Sequence, residues 1–422
     1  MNQSSLYEYL KNGKQRAKIV IVAGEKEAQR AKAVYEYMDL KSFELPDIRL
    51  LPGDDTRSYM EDISKAFNQL RAFEKFKSAT LIAPFRTLTM FLPKPEYLKS
   101  FTIEFGASLD LEELKSKLYY WGYEFVDVVS AKGEVSIRGD IVDIFPPNAK
   151  KAVRVALFDS EVEEIRHFDI STQKREKEEL ESVEITAAFL SLSEDEYSAL
   201  AKRVERSDYS AFVKDIRSLG LWHLNELAQN YLNEYEHIIE SSALMGEIEE
   251  YYTLSDTALP VAIESFRGQV LPEPKEYRDL APVNLNALIE SHKEKKITIV
   301  AKSETQIRAS ALINIEKLNI KYSSGVLNII GNDELILSLN QVKKQRRVKK
   351  STLVLDEIKV GEYVVHENYG VGVFKGIEKR EVLGRFREFV ALQYQNEDML
   401  YIPVENLEVI DRYVASSGSL PT

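Results

Sequence analysis

The sequence predicts a multidomain chain of α/β and α+β units, and three stretches carry that expectation. Ile19 to Ala23 is a continuous apolar run followed by a helical stretch, the mark of a buried parallel strand. Val135 and Ile137, then Val153, Val155 and Leu157, alternate with polar residues, the period of half-buried strands. Residues 358–414 set Gly and Asn turns between short apolar runs, as a small closed barrel does.

Composition narrows the function classes. The 422 residues suggest roughly three or four domains at ~100–150 residues each. A net charge of −12 argues against a chain-wide DNA-binding surface, because phosphate contact needs clustered Lys and Arg. Without a cysteine the chain has no disulfide and no Cys-based zinc site. The five histidines are scattered without ligand spacing, so no metal site is expected. The first residues lack the apolar core of a secretory signal, and no run of 18 apolar residues exists, so a cytoplasmic chain without a membrane span is expected.

Residues 1–98 alternate strands and helices. Strands are expected at Ile19 to Ala23, Ile48 to Leu51 and Ala79 to Ala83, with helices at Glu25 to Met38 and Glu61 to Phe76. That order implies a parallel sheet covered on both faces. Its first strand-to-helix turn, Ala23-Gly24-Glu25-Lys26-Glu27, stands where such folds cradle phosphates. A cradle needs several glycines ending in Gly-Lys-Ser/Thr. Here one glycine and two carboxylates imply a degenerate, P-loop-like sheet that does not bind ATP. No residue is expected to be catalytic.

Residues 99–186 form a small β-rich insert. Leu109 to Trp121 reads as a helix and Tyr123 to Val129 as a strand. Gly139-Asp140 breaks the alternation, and a bulge or bend is expected there. Asp159-Ser160 is a tight turn into a strand from Glu161 to Phe168. Parity puts Arg154 and Phe158 on the face opposite Val153, Val155 and Leu157, and turns Arg138 away from Val135 and Ile137. Two readings fit this face. An exposed aromatic flanked by arginines is the composition of a protein-binding hot spot. Alternatively both arginines pair with Glu161, Glu163 or Glu164, and Phe158 caps a satellite core. The charged stretch Lys174 to Glu181 reads as a solvated connection.

Residues 187–257 read as a helical part completing the first domain. Ser193 and Glu196 make a capping box, and Leu221, Leu224, Leu227 and Tyr231 an apolar stripe. Residues 258–342 form a second, small α/β domain without a catalytic constellation. Its strands are expected at Val261 to Ile263, Ile297 to Ala301, Ile320 to Tyr322 and Val326 to Ile330, with a helix from Ser303 through Leu318. Residues 343–357 are a linker whose basic run, 343–350, suits a solvated tether or a contact to nucleic acid or an acidic partner.

In residues 358–414, strands are expected at Tyr363 to His366, Val373 to Glu381, Phe386 to Tyr394 and Met399 to Val404. Lys375, Ile377 and Lys379 share one parity and Arg380 has the other. Alternating basic and apolar residues suit an edge that takes a partner strand. The competing reading makes Ile377 core and the lysines guards of an edge.

Two resemblances bear on these alternatives. GEVSIRGDIVDIFPP with VRVALFDSEVEEIRHFD resembles the small inserted domain of the repair helicase UvrB, and more closely that of the transcription-repair coupling factors. The resemblance implies docking of UvrA, with Arg138, Arg154 and Phe158 in the family's docking positions. LPGDDTRSYMEDISKAFNQLRAF is also similar to the coupling factors, which, unlike UvrB, lack the phosphate loop. VGEYVVHENYGVGVFKGIE with MLYIPVENLEVIDRY resembles the RNA-polymerase-interacting domain shared by CarD and the coupling factors, a Tudor-like barrel. That implies strand pairing with the polymerase β subunit through Lys375, Ile377, Lys379 and Arg380. The resemblance further implies that ATP, Mg²⁺ and most DNA contact belong to motor modules following this chain, which itself needs no cofactor. A UvrB-like helicase fragment with a working ATP site conflicts with the Gly24 loop. A CarD-like regulator does not account for the long assembly before the barrel.

Overall fold

The computed structural model describes residues 1–13, 19–50, 54–76, 78–207, 214–224, 232, 235–254, 268–281, 284–310, 312, 315–341, 358–366, 369–382, 385–394, 398–404, 407 and 410–412. The chain divides into two compact units. Met1–Arg49, Gln69–Met90 and Asn230–Gln345 make one; Leu50–Asn68, Phe91–Gln229 and Arg346–Thr422 make the other.

A parallel sheet heads the first unit, in the order Gln269–Val270, His237–Ile239, Ile19–Val22, Thr80–Pro84, Ser42–Glu44. Ile19–Val22 is central and fully buried, as its unbroken apolar run requires. Helix Glu25–Tyr37 packs Ala28, Ala31 and Val34 into the same core. Two expectations are corrected here. The second strand is Ser42–Glu44, and residues 48–50 lie outside any strand. Pro46 has no N–H for a ladder, and the Thr87 hydroxyl serves this segment instead, donating to the Pro46 carbonyl (2.6 Å) and accepting the Ile48 N–H (2.9 Å). The stretch expected to be helical contains His237–Ile239, parallel to Ile19–Ile21.

The second sheet of this unit runs Arg278–Asp279, Ile329–Ile330, Glu334–Ser338, Lys296–Ala301, Asn319–Tyr322. Glu334–Ser338, which the sequence reading missed, pairs parallel with Lys296–Ala301. The helix begun at Ser303 stops at Arg308, and a separate 3₁₀ turn follows at Ile315–Lys317. The expected strand Val261 to Ile263 and the basic run 343–350 lie outside the described residues.

Helix Gln3–Lys11 ties both sheets of the unit. Its own N-cap residue, Asn2, makes no side-chain cap bond. Asp279 supplies the cap instead, accepting the N–H groups of Gln3 (3.1 Å) and Ser4 (2.7 Å) while pairing with Arg30 at 2.7 Å. Five residues on, Glu8 accepts the backbone N–H groups of Lys275, Glu276 and Tyr277 at 2.9–3.2 Å. Leu6, Tyr7 and Leu10 enter one core with Val20, Val300 and Ile336.

In the second unit, the insert is a six-stranded sheet in the order Arg175–Glu179, Glu161–Phe168, Ala152–Phe158, Ile141–Ile144, Glu134–Arg138, Glu124–Phe125. A ladder of Ser100–Glu104 with Ser182–Thr186 joins its two ends. Val135, Val142, Ile144, Val153, Val155 and Ile165 face helix Leu111–Tyr120, which adds Leu114 and Leu118. Each such branched side chain contributes about 1.5–3 kcal/mol on burial. Where a bulge or bend was expected, Gly139-Asp140 forms a hairpin turn: Arg138 faces Ile141 across it, with Gly139 at φ +57°. Lys174 to Glu181 is not a plain connection, since Arg175–Glu179 extends the sheet. The expected strand from Tyr123 is only Glu124–Phe125. Helix Glu194–Glu205 carries the anticipated Ser193–Glu196 capping box. Leu221 and Leu224 are buried, while Leu227 and Tyr231 fall outside the described residues.

The C-terminal sheet is antiparallel, in the order Met399–Pro403, Arg385–Gln393, Gly370–Val382, Tyr363–His366, Ile410–Arg412. All of these strands send side chains such as Val364, Phe374, Val390, Ile402 and Ile410 into one core, so the sheet curls around it. It is a curled half-barrel rather than a closed one. No ladder joins Met399–Pro403 to Ile410–Arg412 among the described residues.

Glu8 generates a pH prediction. Burial pushes its carboxyl up, but the three backbone donors outweigh burial and hold it below its ordinary value of 4.5. A lowered folded-state value means the stabilisation is complete above pH about 4.5 and fades as pH falls through the folded value. Thermal melts of Glu8→Gln should show lower stability than wild type at pH 7 and a narrowing gap towards pH 3. A gap that does not change with pH would show that Glu8 acts only through packing.

Candidate functional site

The outward face of the inserted sheet is set by alternation. Val153, Val155 and Leu157 turn inward at 0, 0 and 6% exposure, so Arg154 and Phe158 must turn outward. The hairpin partner strand has an irregularity between Ala156 and Leu157, where Val162 and Ile165 both stay buried with Glu163 and Glu164 between them. The extra residue is on that partner, and Ala152–Phe158 keeps its parity through Phe158.

Phe158 is 66% exposed, which excludes a core role. Arg138 is also open, with its side chain 54% exposed, whereas Arg154 is 20% exposed. Neither arginine pairs with Glu161, Glu163 or Glu164 as the alternative reading required; both reach Asp143. Arg154 donates from Nε and Nη2 to the two Asp143 oxygens at 2.6 and 2.8 Å. Arg138 donates from Nη2 to Asp143 Oδ2 at 3.0 Å. The Arg154 guanidinium also lies 5.0 Å from the buried Phe168 ring. The hydrogen bond to Asp143 and its charge hold the Arg154 guanidinium above its ordinary value against the pull of burial.

Two residues of this face escaped the sequence reading. Asp143 lies directly across from Arg154, and Ile141, 40% exposed, lies across from Arg138 and Ala156. Ile141, Ala156 and Phe158 form an apolar strip beside Arg138. Their signal was outward parity, Asp143 between Val142 and Ile144 and Ile141 just before Val142, but placing Asp143 opposite Arg154 needs the register across residues 145–151.

The second surface is a strand edge. Gly370–Val382 pairs with Tyr363–His366 only over Gly370 to Val373. The last bonds on that side join Phe374 with Gly361 and Glu362. Lys375 is the bulged residue, and Gly376 takes φ +119° beside it, a conformation open to glycine. From Lys375 onward no described strand pairs along this side, while the other side stays paired to Arg385–Gln393. Lys375, Ile377 and Lys379 are exposed, Ile377 at 46%. Ile377 shares its face with the buried Val390 and Ile402 but sits beyond the core they form. Arg380 is on the opposite face. It donates from Nε to Glu378 (2.8 Å) and from Nη2 to the Tyr401 hydroxyl (3.0 Å), with its guanidinium 4.6 Å from the Tyr401 ring. The structure keeps Ile377 and Lys379 on one face, places Lys375 in the bulge between that part and Phe374, and sets Arg380 on the opposite face.

The loop after Ile19–Val22 is ringed by carboxylates. Ala23 donates its N–H to Glu240 at 3.2 Å, and a Cβ on Gly24 would meet Asp47 at 3.3 Å. Glu25 and Glu27 open the following helix. Burial pushes the Glu240 carboxyl above its ordinary value. Among the described residues, no group of three or more His, Asp or Glu could hold a metal ion, and no helix is long and apolar enough to cross a membrane.

Comparison with known proteins bears on both surfaces. Residues 101–189 match the UvrB interaction domain, and residues 358–414 match the CarD-like/TRCF RID domain. The Helicobacter pylori transcription-repair-coupling factor of strain 26695 is 39% identical over 432 residues, covering 100% of this chain and 42% of its own length. A Staphylococcus aureus factor of the same name is 26% identical over 463 residues, covering 85% of the chain and 40% of itself. The chain thus spans less than half the length of these relatives. Along its entire length the chain is similar to transcription-repair-coupling factors, and both domain models match within it.

Proposed function

We propose that this chain is the recruiting, non-motor part of a cytoplasmic transcription-repair coupling factor. The inserted domain binds UvrA through Arg138, Arg154 and Phe158. The C-terminal half-barrel, a Tudor-like module, takes the RNA polymerase β subunit as an added strand along Lys375 to Val382, with Lys375, Ile377, Lys379 and Arg380 at the contact. The observation that carries the reading is the match of each open surface to a domain model: an exposed aromatic on a face with an arginine in one, and in the other an edge along which no described strand pairs. Aromatic and arginine side chains dominate protein interfaces because one supplies apolar burial and the other bidentate contact to carboxylates. An unpaired edge offers backbone hydrogen bonds at regular spacing.

Phosphate binding at the Gly24 loop is disfavoured by charge. Asp47 and Glu240 stand at the loop, where an anion would meet repulsion in place of a cradle of N–H groups. In this reading ATP, Mg²⁺ and the main DNA contact belong to motor domains in the remainder of the longer factor. Together the two surfaces would bring the repair machinery to a stalled polymerase.

Truncating a hot-spot residue costs about 2 kcal/mol or more, so Phe158→Ala should weaken UvrA binding at least about tenfold in titration calorimetry. Its melting temperature should stay near wild type, since surface substitutions usually remain within about 0.5 kcal/mol. Normal affinity for Phe158→Ala would remove Phe158 from the interface. Ile377→Asp should weaken β-subunit capture in a pulldown while its circular dichroism stays that of the wild type. If the β subunit binds the variant normally, the edge assignment fails. Titration with ATP and Mg²⁺ should give no micromolar isotherm, and a micromolar site would overturn the degenerate-loop reading.

A further inference from the structure

The two arginines of the inserted domain are not equivalent. An arginine has five N–H donors in a rigid fork. Arg154 directs Nε and Nη2 onto Asp143 and Nη1 towards the Gln173 carbonyl at 3.4 Å. Its face is covered by Phe168, which is 1% exposed. Arg154 is therefore bonded inward along most of its fork. Arg138 gives a single N–H to Asp143 and keeps more than half of its side chain in solvent. Asp143 itself is 1% exposed and cannot reach a partner. The three groups carry one net positive charge, and its open end is Arg138.

We infer that Asp143 and Arg154 are a positioning pair, and that Arg138 is the arginine that meets the partner's carboxylate. The inference rests on the UvrA reading of this face and assigns the roles within it. An unanchored surface arginine loses rotamer freedom when it is captured. Here Arg154 holds the Asp143 carboxylate in place, and Asp143 fixes the end of Arg138 before binding, so less freedom is lost on contact. One Nη2 N–H on Asp143 leaves Arg138 one of its two paired edges, Nε–Nη2 or Nη1–Nη2, for a carboxylate. Ile141, across the hairpin from Arg138, is an apolar neighbour of that position, and Phe158 is exposed on the same face of the sheet.

The test uses the full chain and purified UvrA. Removing one member of a buried pair strands a charge, so Asp143→Asn alone can unfold the sheet. Replacing both members by apolar groups of similar shape avoids this. The double variant Asp143→Leu/Arg154→Met should keep a near-wild-type melt and bind UvrA about tenfold more weakly, as loss of a coupled contact does. In an Arg138→Ala background the same double replacement should cause no further loss. Wild-type affinity in the double variant overturns the inference. So does an equal loss with and without Arg138, because Arg154 would then touch the partner itself. Should the double variant not fold, nitrogen NMR of the wild-type arginine side chains decides. Hindered rotation of the Arg138 guanidinium supports anchoring, and free rotation refutes it. If Arg138→Ala and Phe158→Ala both bind normally, the UvrA reading itself falls and the positioning role falls with it.

Discussion

The register of the Ala152–Phe158 strand is the constraint on which the inserted domain depends. It lies between two antiparallel neighbours and has one face in the core. A slip of one residue would expose Val153, Val155 and Leu157 and turn Arg154 and Phe158 into the helix Leu111–Tyr120. Three buried aliphatic side chains, at about 1.5–3 kcal/mol each, oppose that slip. The same apolar residues that hold the fold therefore aim the outward ones. The irregularity beside Ala156 falls on the partner strand, where an extra glutamate is absorbed without disturbing the face that carries Phe158.

How much of this was legible depended on the range over which each feature is determined. Alternation is local, so the outward turn of Arg138, Arg154 and Phe158 could be read from the strands that carry them. The partner of both arginines could not. Asp143 meets Arg138 through a hairpin read only as a bulge or bend, and meets Arg154 across the connection at residues 145–151, whose register no local pattern fixes. His237–Ile239 was missed because three residues are too few to show a period. Glu334–Ser338 contains a short apolar run that periodicity cannot assign to strand or helix. The helix Gln3–Lys11 looks polar at its start, with Gln3, Ser4, Ser5 and Glu8. Backbone donors some 270 residues away receive the Glu8 side chain, and the Arg30 and Val326 carbonyls receive that of Gln3.

The half-barrel shows how one strand serves both a core and an edge. Gly370 to Phe374 is paired on both sides and sends Phe374 inward. One bulged residue, with Gly376 at positive φ, separates that half from the part that, among the described strands, pairs only with Arg385–Gln393. Bulges increase local twist and end pairing. Beyond it Ile377 keeps the parity of the core but has no core to enter. Lys375 and Lys379 beside it deter indiscriminate strand pairing, as charged residues on natural edges do. The edge is thus open to a partner that supplies both backbone and complementary charge, and closed to most others.

The acidic balance of the chain, 68 Asp and Glu against 56 Lys and Arg, first reads as a bar to broad phosphate binding. The structure gives part of that acid a second task. Asp279 caps a helix from another part of its unit, and Glu8 collects three backbone donors. Asp55 accepts the Arg57 backbone N–H and guanidinium, and Arg57 in turn donates to the Met399 carbonyl at 3.0 Å. Asp143 does the same for Arg154 and Arg138. In each case a carboxylate, buried at Glu8, Asp55 and Asp143 and partly buried at Asp279, is tolerated because donors surround it, and removing them would leave an uncompensated charge. Two of these four acids, Asp279 and Glu8, join segments far apart in sequence, where a hydrophobic contact would supply area but little direction. Hydrogen bonds to a carboxylate add direction, and at Asp143 that direction extends to the surface. The acids that fix the fold and the acid that orients the exposed arginine follow one physical rule, and only the position of the last donor, in solvent, turns a folding device into part of a docking face.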